Sequence, residues 1–104
     1  MSKFYNITGS TGVTVELIKP TRNTTSTKSV LITNVHAAND ATVTLFVQAD
    51  STVSLETYNI IYNIAVPAKT SLFLDDSSMF RFGSEYGLYI TVGSSDTVDV
   101  IVSQ

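Results

Sequence analysis

Apolar residues recur at every second position along most of this chain. Val13, Val15 and Leu17 alternate with Thr14, Glu16 and Ile18, and Pro20 closes the run. Val43, Leu45 and Val47 alternate with Thr44 and Phe46. Tyr58, Ile60, Tyr62, Ile64 and Val66 alternate with Asn59, Ile61, Asn63 and Ala65, the longest stretch of this kind. Leu88, Ile90 and Val92 alternate with Tyr89 and Thr91, and Val98, Val100 and Val102 with Asp99 and Ile101. A period of two is what a strand shows when one of its faces lies on a core. Residues 30–35 are apolar at nearly every position, which predicts a more central strand, and residues 71–74 predict a short one. No segment keeps a helical period, so little or no helix is expected.

Turn-forming residues separate the runs. Ala37-Ala38-Asn39-Asp40, Asp75-Asp76-Ser77-Ser78 and Gly93-Ser94-Ser95-Asp96 carry the Gly, Asn, Asp and Ser chemistry of turns. The five glycines are all expected in turns, residues 21–28 in a loop, and residues 49–57 at a hairpin tip. Two hairpins are expected from neighbouring runs, over residues 30–48 and 88–102. The fold class that follows is all-β: a two-sheet antiparallel sandwich of about seven to nine strands. The pattern fits an immunoglobulin-like and a jelly-roll strand order equally well. With 104 residues, the chain is expected to be a single domain, with residues 1–27 an arm or a first hairpin.

Composition narrows the function more than the fold. Hydrophobic residues are 43% and charged residues 14%, so the chain should fold and leave much of its surface neutral. The formal net charge is −3, and Lys3, Lys19, Arg22, Lys28, Lys69 and Arg81 are scattered. A nucleic-acid partner would call for clustered cations, so none is expected. Cysteine is absent, which removes disulfide and thiolate chemistry and fits assembly in a reducing cytoplasm. The apolar runs are about three residues long, as in Leu72-Phe73-Leu74, far short of a membrane helix. The first residues lack the apolar core of a secretion signal, and neither export nor a membrane partner is expected.

Candidate chemistry is sparse. His36 is the sole histidine, with no cysteine to share a metal and no Gly-x-Ser-x-Gly elbow to serve, so a structural role is expected. Asp75 and Asp76, with Asp40 or Asp50 folded nearby, are the nearest approach to a Ca²⁺ site, but the alternating acidic spacing is missing and an Asx-turn explains them. Asp96 and Asp99 look solvated rather than paired in a cleft. No catalytic residue, cofactor or metal is expected. The aromatic residues matter more. Tyr58 and Tyr62 share the parity of Ile60 and Ile64 and are expected to line the core or its rim. Phe46, Ile61, Tyr89 and Ile101, and Ile18 with them, have the parity opposite to the main apolar face of their strands. Apolar residues on a second face suggest a partner, so these first four are the candidate interface.

Three segments carry a resemblance. They are Leu31-Ile32-Thr33-Asn34-Val35-His36 through Val43-Thr44-Leu45-Phe46-Val47, then residues 62–75 with Val66-Pro67-Ala68 and Leu72-Phe73-Leu74-Asp75, and finally Leu88–Val92 with Val98-Asp99-Val100-Ile101-Val102. Their succession resembles small virion structural proteins of tailed phages, especially those of marine and cyanobacterial hosts. The likeness covers residues 28–103 and rests on strand and turn patterns without catalytic content. It implies a sandwich on the outside of a particle, at capsid, neck or tail, as a decoration or accessory protein. It further implies other virion proteins as partners, a homo-oligomer or multicopy lattice, synthesis in the host cytoplasm and residence in the virion. A carbohydrate-binding or adhesin-like module is the rival, using exposed Tyr and Asn side chains.

Overall fold

The period-two runs become strands because each can bury one face, and eight of them do so. A computed structural model describes residues 2–8, 14–18, 28–36, 38–49, 57–75, 80, 86–93 and 96–103. Its strands are β1 (Ser2–Thr8), β2 (Thr14–Ile18), β3 (Ser29–Asn34), β4 (Ala41–Ala49), β5 (Thr57–Val66), β6 (Ser71–Leu74), β7 (Tyr86–Val92) and β8 (Thr97–Ser103). They form two four-stranded antiparallel sheets, in the orders β1-β8-β3-β6 and β2-β7-β4-β5. We call these the first and the second sheet. No α-helix occurs among the described residues, as the sequence pattern predicts.

The pairings are nested. β4 pairs with β5, β3 with β6, β2 with β7 and β1 with β8. The chain is therefore one long hairpin, folded at β4–β5 and rolled up so that alternate pairs fall in opposite sheets. Contacts of β8 with β3 and of β7 with β4 complete the sheets. This is the eight-stranded jelly roll, and it decides between the two strand orders the pattern left open.

Several expectations are corrected by this topology. The hairpins expected over 30–48 and 88–102 do not form: β3 and β4 lie in different sheets, and so do β7 and β8. The local hairpin is β4–β5, with the expected tip outside the described residues. Of residues 1–27, β1 and β2 do not pair as a first hairpin, since β1 joins the first sheet and β2 the second. Gly87 lies buried within β7 rather than in a turn.

The core lies between the sheets. Val30, Ile32, Val98, Val100 and Val102 from the first sheet meet Val43, Leu45, Leu88, Ile90 and Val92 from the second, all with no exposed surface. Each such side chain is worth about 1.5–3 kcal/mol in transfer from water. Phe80 fills a further core position. Ile18, expected on an outer face, is buried because the register shifts between Glu16 and Ile18 and turns Leu17 and Ile18 both inward.

Among the described residues, one polar side chain sits in this core. Asn34 is fully buried at the end of β3. Its Nδ2 donates to the carbonyls of Asn39 and Val66, each at 2.9 Å, and its Oδ1 accepts from the His36 backbone N–H at 2.9 Å. Three bonds satisfy the side chain, which is the condition for burying it. Tyr5 makes a second cross-link, donating its hydroxyl proton from β1 to the Leu17 carbonyl of β2 at 2.6 Å.

Candidate docking surface

The outward face of the first sheet carries one apolar row. Register places Phe4 of β1 opposite Ile101 of β8, Ile101 opposite Leu31 of β3, and Leu31 opposite Phe73 of β6. All four point outward because their neighbours Val100, Val102, Val30 and Ile32 point inward. Phe4 is 72% exposed and Phe73 55%, while Leu31 and Ile101 between them are half-buried. The row thus crosses the whole sheet, with its largest side chains at the two edges.

Polar rows flank it. On one side are Asn6, Asp99, Thr33 and Ser71. Asn6 Nδ2 donates to Asp99 Oδ1 at 2.5 Å, and the Thr33 and Ser71 hydroxyls are bonded at 2.9 Å. Ser29 and Ser103 lie on the other side. A shallow hollow of about 320 Å³ lies along β1 and β8, lined by Phe4, Tyr5, Asn6, Asp99, Val100 and Ile101. Asp99 is its sole carboxylate, and Asn6 already engages it. This arrangement offers apolar contact beside two hydrogen-bonded polar pairs.

The outward face of the second sheet differs. Phe46 and Tyr89 are opposite one another on β4 and β7 and stack with ring centroids 5.6 Å apart. The Tyr89 hydroxyl donates to Glu16 Oε2 at 3.2 Å. Thr14 and Thr91 are bonded at 2.9 Å, and Thr44 Oγ1 accepts from the Asn63 N–H at 3.0 Å. Each ring is half-buried and stacks on its neighbour on the same face.

The four predicted interface residues therefore do not form one patch. Phe46 and Tyr89 share the outer face of the second sheet, and Ile101 lies on the opposite side of the molecule. Ile61 is corrected: two register shifts in the β4–β5 pairing bring it opposite Leu45, where it packs on the core. The same irregularity leaves Tyr62 outward and 67% exposed, against the expectation that it lines the core or its rim, whereas Tyr58, opposite the buried Val47 and edge-on to Tyr86, stands at the rim with 53% of its surface exposed. Phe4, Leu31 and Phe73 were not predicted. Their alignment depends on pairings between strands up to about a chain length apart, and local alternation carries no register.

Two of the candidate chemical groups, His36 and Asp96, have backbone partners. His36 Nδ1 accepts from the Ala38 and Asn39 N–H groups at 3.1 Å each, closing the turn after β3. Asp96, expected to be solvated, is half-buried and accepts from the Thr42 N–H at 3.0 Å, tying the β7–β8 turn to β4. Asp40 and Asp75 are exposed, while Asp50 and Asp76 lie outside the described residues. Among the described residues no three metal-ligating side chains converge, and no helix is long and apolar enough to cross a membrane. Burial, and secondarily the Glu16 charge, raises the Tyr5 hydroxyl above its ordinary pKa, as suits a phenol committed to donating a hydrogen bond. Comparison with protein-family models gives no match, and comparison with curated proteins gives none.

Proposed function

We propose that this chain is a non-enzymatic structural protein of a tailed-phage virion, a capsid decoration or accessory protein present in many copies. It is made in the host cytoplasm and attaches to other virion proteins through side-chain contacts, without a cofactor. The observation that carries this reading is the outward apolar row Phe4–Ile101–Leu31–Phe73. A domain working alone in water would place polar residues there, as it does in the adjoining rows. The jelly roll adds fold-level analogy, since it recurs in viral capsid and lectin domains. Burying each ring of the row is worth about 1.5–3 kcal/mol. Lost rigid-body freedom offsets much of that, so attachment in many copies is the effective route.

The test is attachment of the Leu31→Ser/Phe73→Ser variant to particles assembled without the protein. Both residues point outward, so the variant should fold, and attachment should fall at least about tenfold, the loss of one such contact. Parent-like attachment would contradict the reading. A second reading, a carbohydrate-binding module, draws on Tyr58 and Tyr62 exposed beside Asn59 and Asn63 on β5. Retention of the parent on a glycan array, lost in Tyr62→Ala, would favour it.

A further inference from the structure

A two-sheet sandwich has four edge strands, each an array of unpaired backbone groups that invites another strand. Three of these edges are blunted. β6 has only four residues. β2 has five, with a register shift between Glu16 and Ile18. β5 is long, but two register shifts break it and Asn63 holds φ at 55°. β1 has none of these features. Its seven residues pair with β8 in unbroken register, from Ser2 opposite Ser103 to Thr8 opposite Thr97. Its outer edge has no strand partner among the described residues, and Lys3 is its only charged residue.

We propose that β1 is a homodimerisation edge: two copies of this chain join β1 to β1 antiparallel about a two-fold axis at Phe4, merging their first sheets into one of eight strands. The register follows from self-complementarity, because a two-fold interface pairs each residue with its symmetry mate. With Phe4 opposite Phe4, Lys3 faces Tyr5 of the other copy and Ser2 faces Asn6, so no like charges meet. The apolar row then runs unbroken from Phe73 of one copy through both Phe4 rings to Phe73 of the other. The most exposed ring of the row becomes its centre, in a cross-strand aromatic pair. Strand addition of this kind takes its affinity from main-chain bonds and its register from the side chains. The dimer is a property of the isolated protein, and it stands whether or not the particle-docking reading does.

Charge exchange at the axis tests it by sedimentation equilibrium. The parent should have twice the mass of one chain at about 1 mM. Phe4→Lys alone and Phe4→Glu alone should each have the mass of one chain, since like charges would face each other at the axis. An equimolar mixture of the two should return to double mass, which also shows that both variants are folded. Phe73→Lys, at the far edge of the same sheet, should leave the double mass unchanged. A monomeric parent, a dimeric Phe4→Lys, a mixture that stays monomeric, or loss of the dimer in Phe73→Lys would each overturn the proposal.

Discussion

Two polar side chains do most to fix how the sheets meet. Asn34 Nδ2 donates to two backbone carbonyls in a fully buried site. Asn34→Ala leaves those acceptors unpaired and should cost about 2–4 kcal/mol. Asn34→Asp keeps the shape but sets a buried carboxylate against the same two oxygens. It should be the less stable of the two at pH 7, as urea unfolding would show; the reverse order would mean that the amide is not the donor. Tyr5 gives a pH signature. Its folded pKa lies above the 10.0 of a free phenol, so the folded state holds the proton more tightly than the unfolded chain does. The stability from its bond to Leu17 is therefore complete below about pH 10 and is lost as pH rises through the raised value. Tyr5→Phe should lower stability at pH 7 by about 1 kcal/mol and flatten the alkaline decline. A decline as steep as the parent's would assign it to other groups.

At the scale of elements, turns and bulges determine what alternation does not. The β5–β6 connection closes with Thr70 N–H bonded to the Pro67 carbonyl at 3.2 Å and Lys69 at φ 62°, the positive φ that a type II turn needs at its third position. Lys69→Val should cost about 1–2 kcal/mol because a β-branched residue resists that conformation. Lys69→Gly should stay within about 1 kcal/mol of the parent, strain relief offsetting the freer unfolded chain. Equal melting temperatures for Lys69→Val and the parent would place the turn in another conformation. The inward parity of β4, β7 and β8 was legible in the sequence, because these strands keep an unbroken period, while β3, apolar at nearly every position, showed its central place but not its inward face. That of β2 and β5 was not, because their bulges reverse parity partway, burying Ile18 and Ile61 and exposing Tyr62. Pairing was equally hidden: runs adjacent in sequence suggest hairpins, while a jelly roll sends most of its connections across to the other sheet. Of the docking row only Ile101 was foreseen, since Leu31, Phe73 and Phe4 join it through register alone.

At the scale of the molecule, the two sheets hold one core, and it should fail as one. Leu45 and Ile90 are paired across β4 and β7 with no exposed surface. Leu45→Asp or Ile90→Asp would place a charge there with no partner, at a cost of several kcal/mol against a total stability of about 5–15 kcal/mol. Neither variant should melt cooperatively, and a sharp transition in either would show that the core lies elsewhere. The outside of the same sandwich carries the functional account: an outward apolar row flanked by polar rows, one of them holding two hydrogen-bonded pairs. Quantitative mass spectrometry of phage particles purified from the source of this chain tests the proposed function most directly. Many copies of this chain per particle, in fixed ratio to the major capsid or tail protein, is the predicted result. Its absence from particles that are otherwise complete would contradict the account.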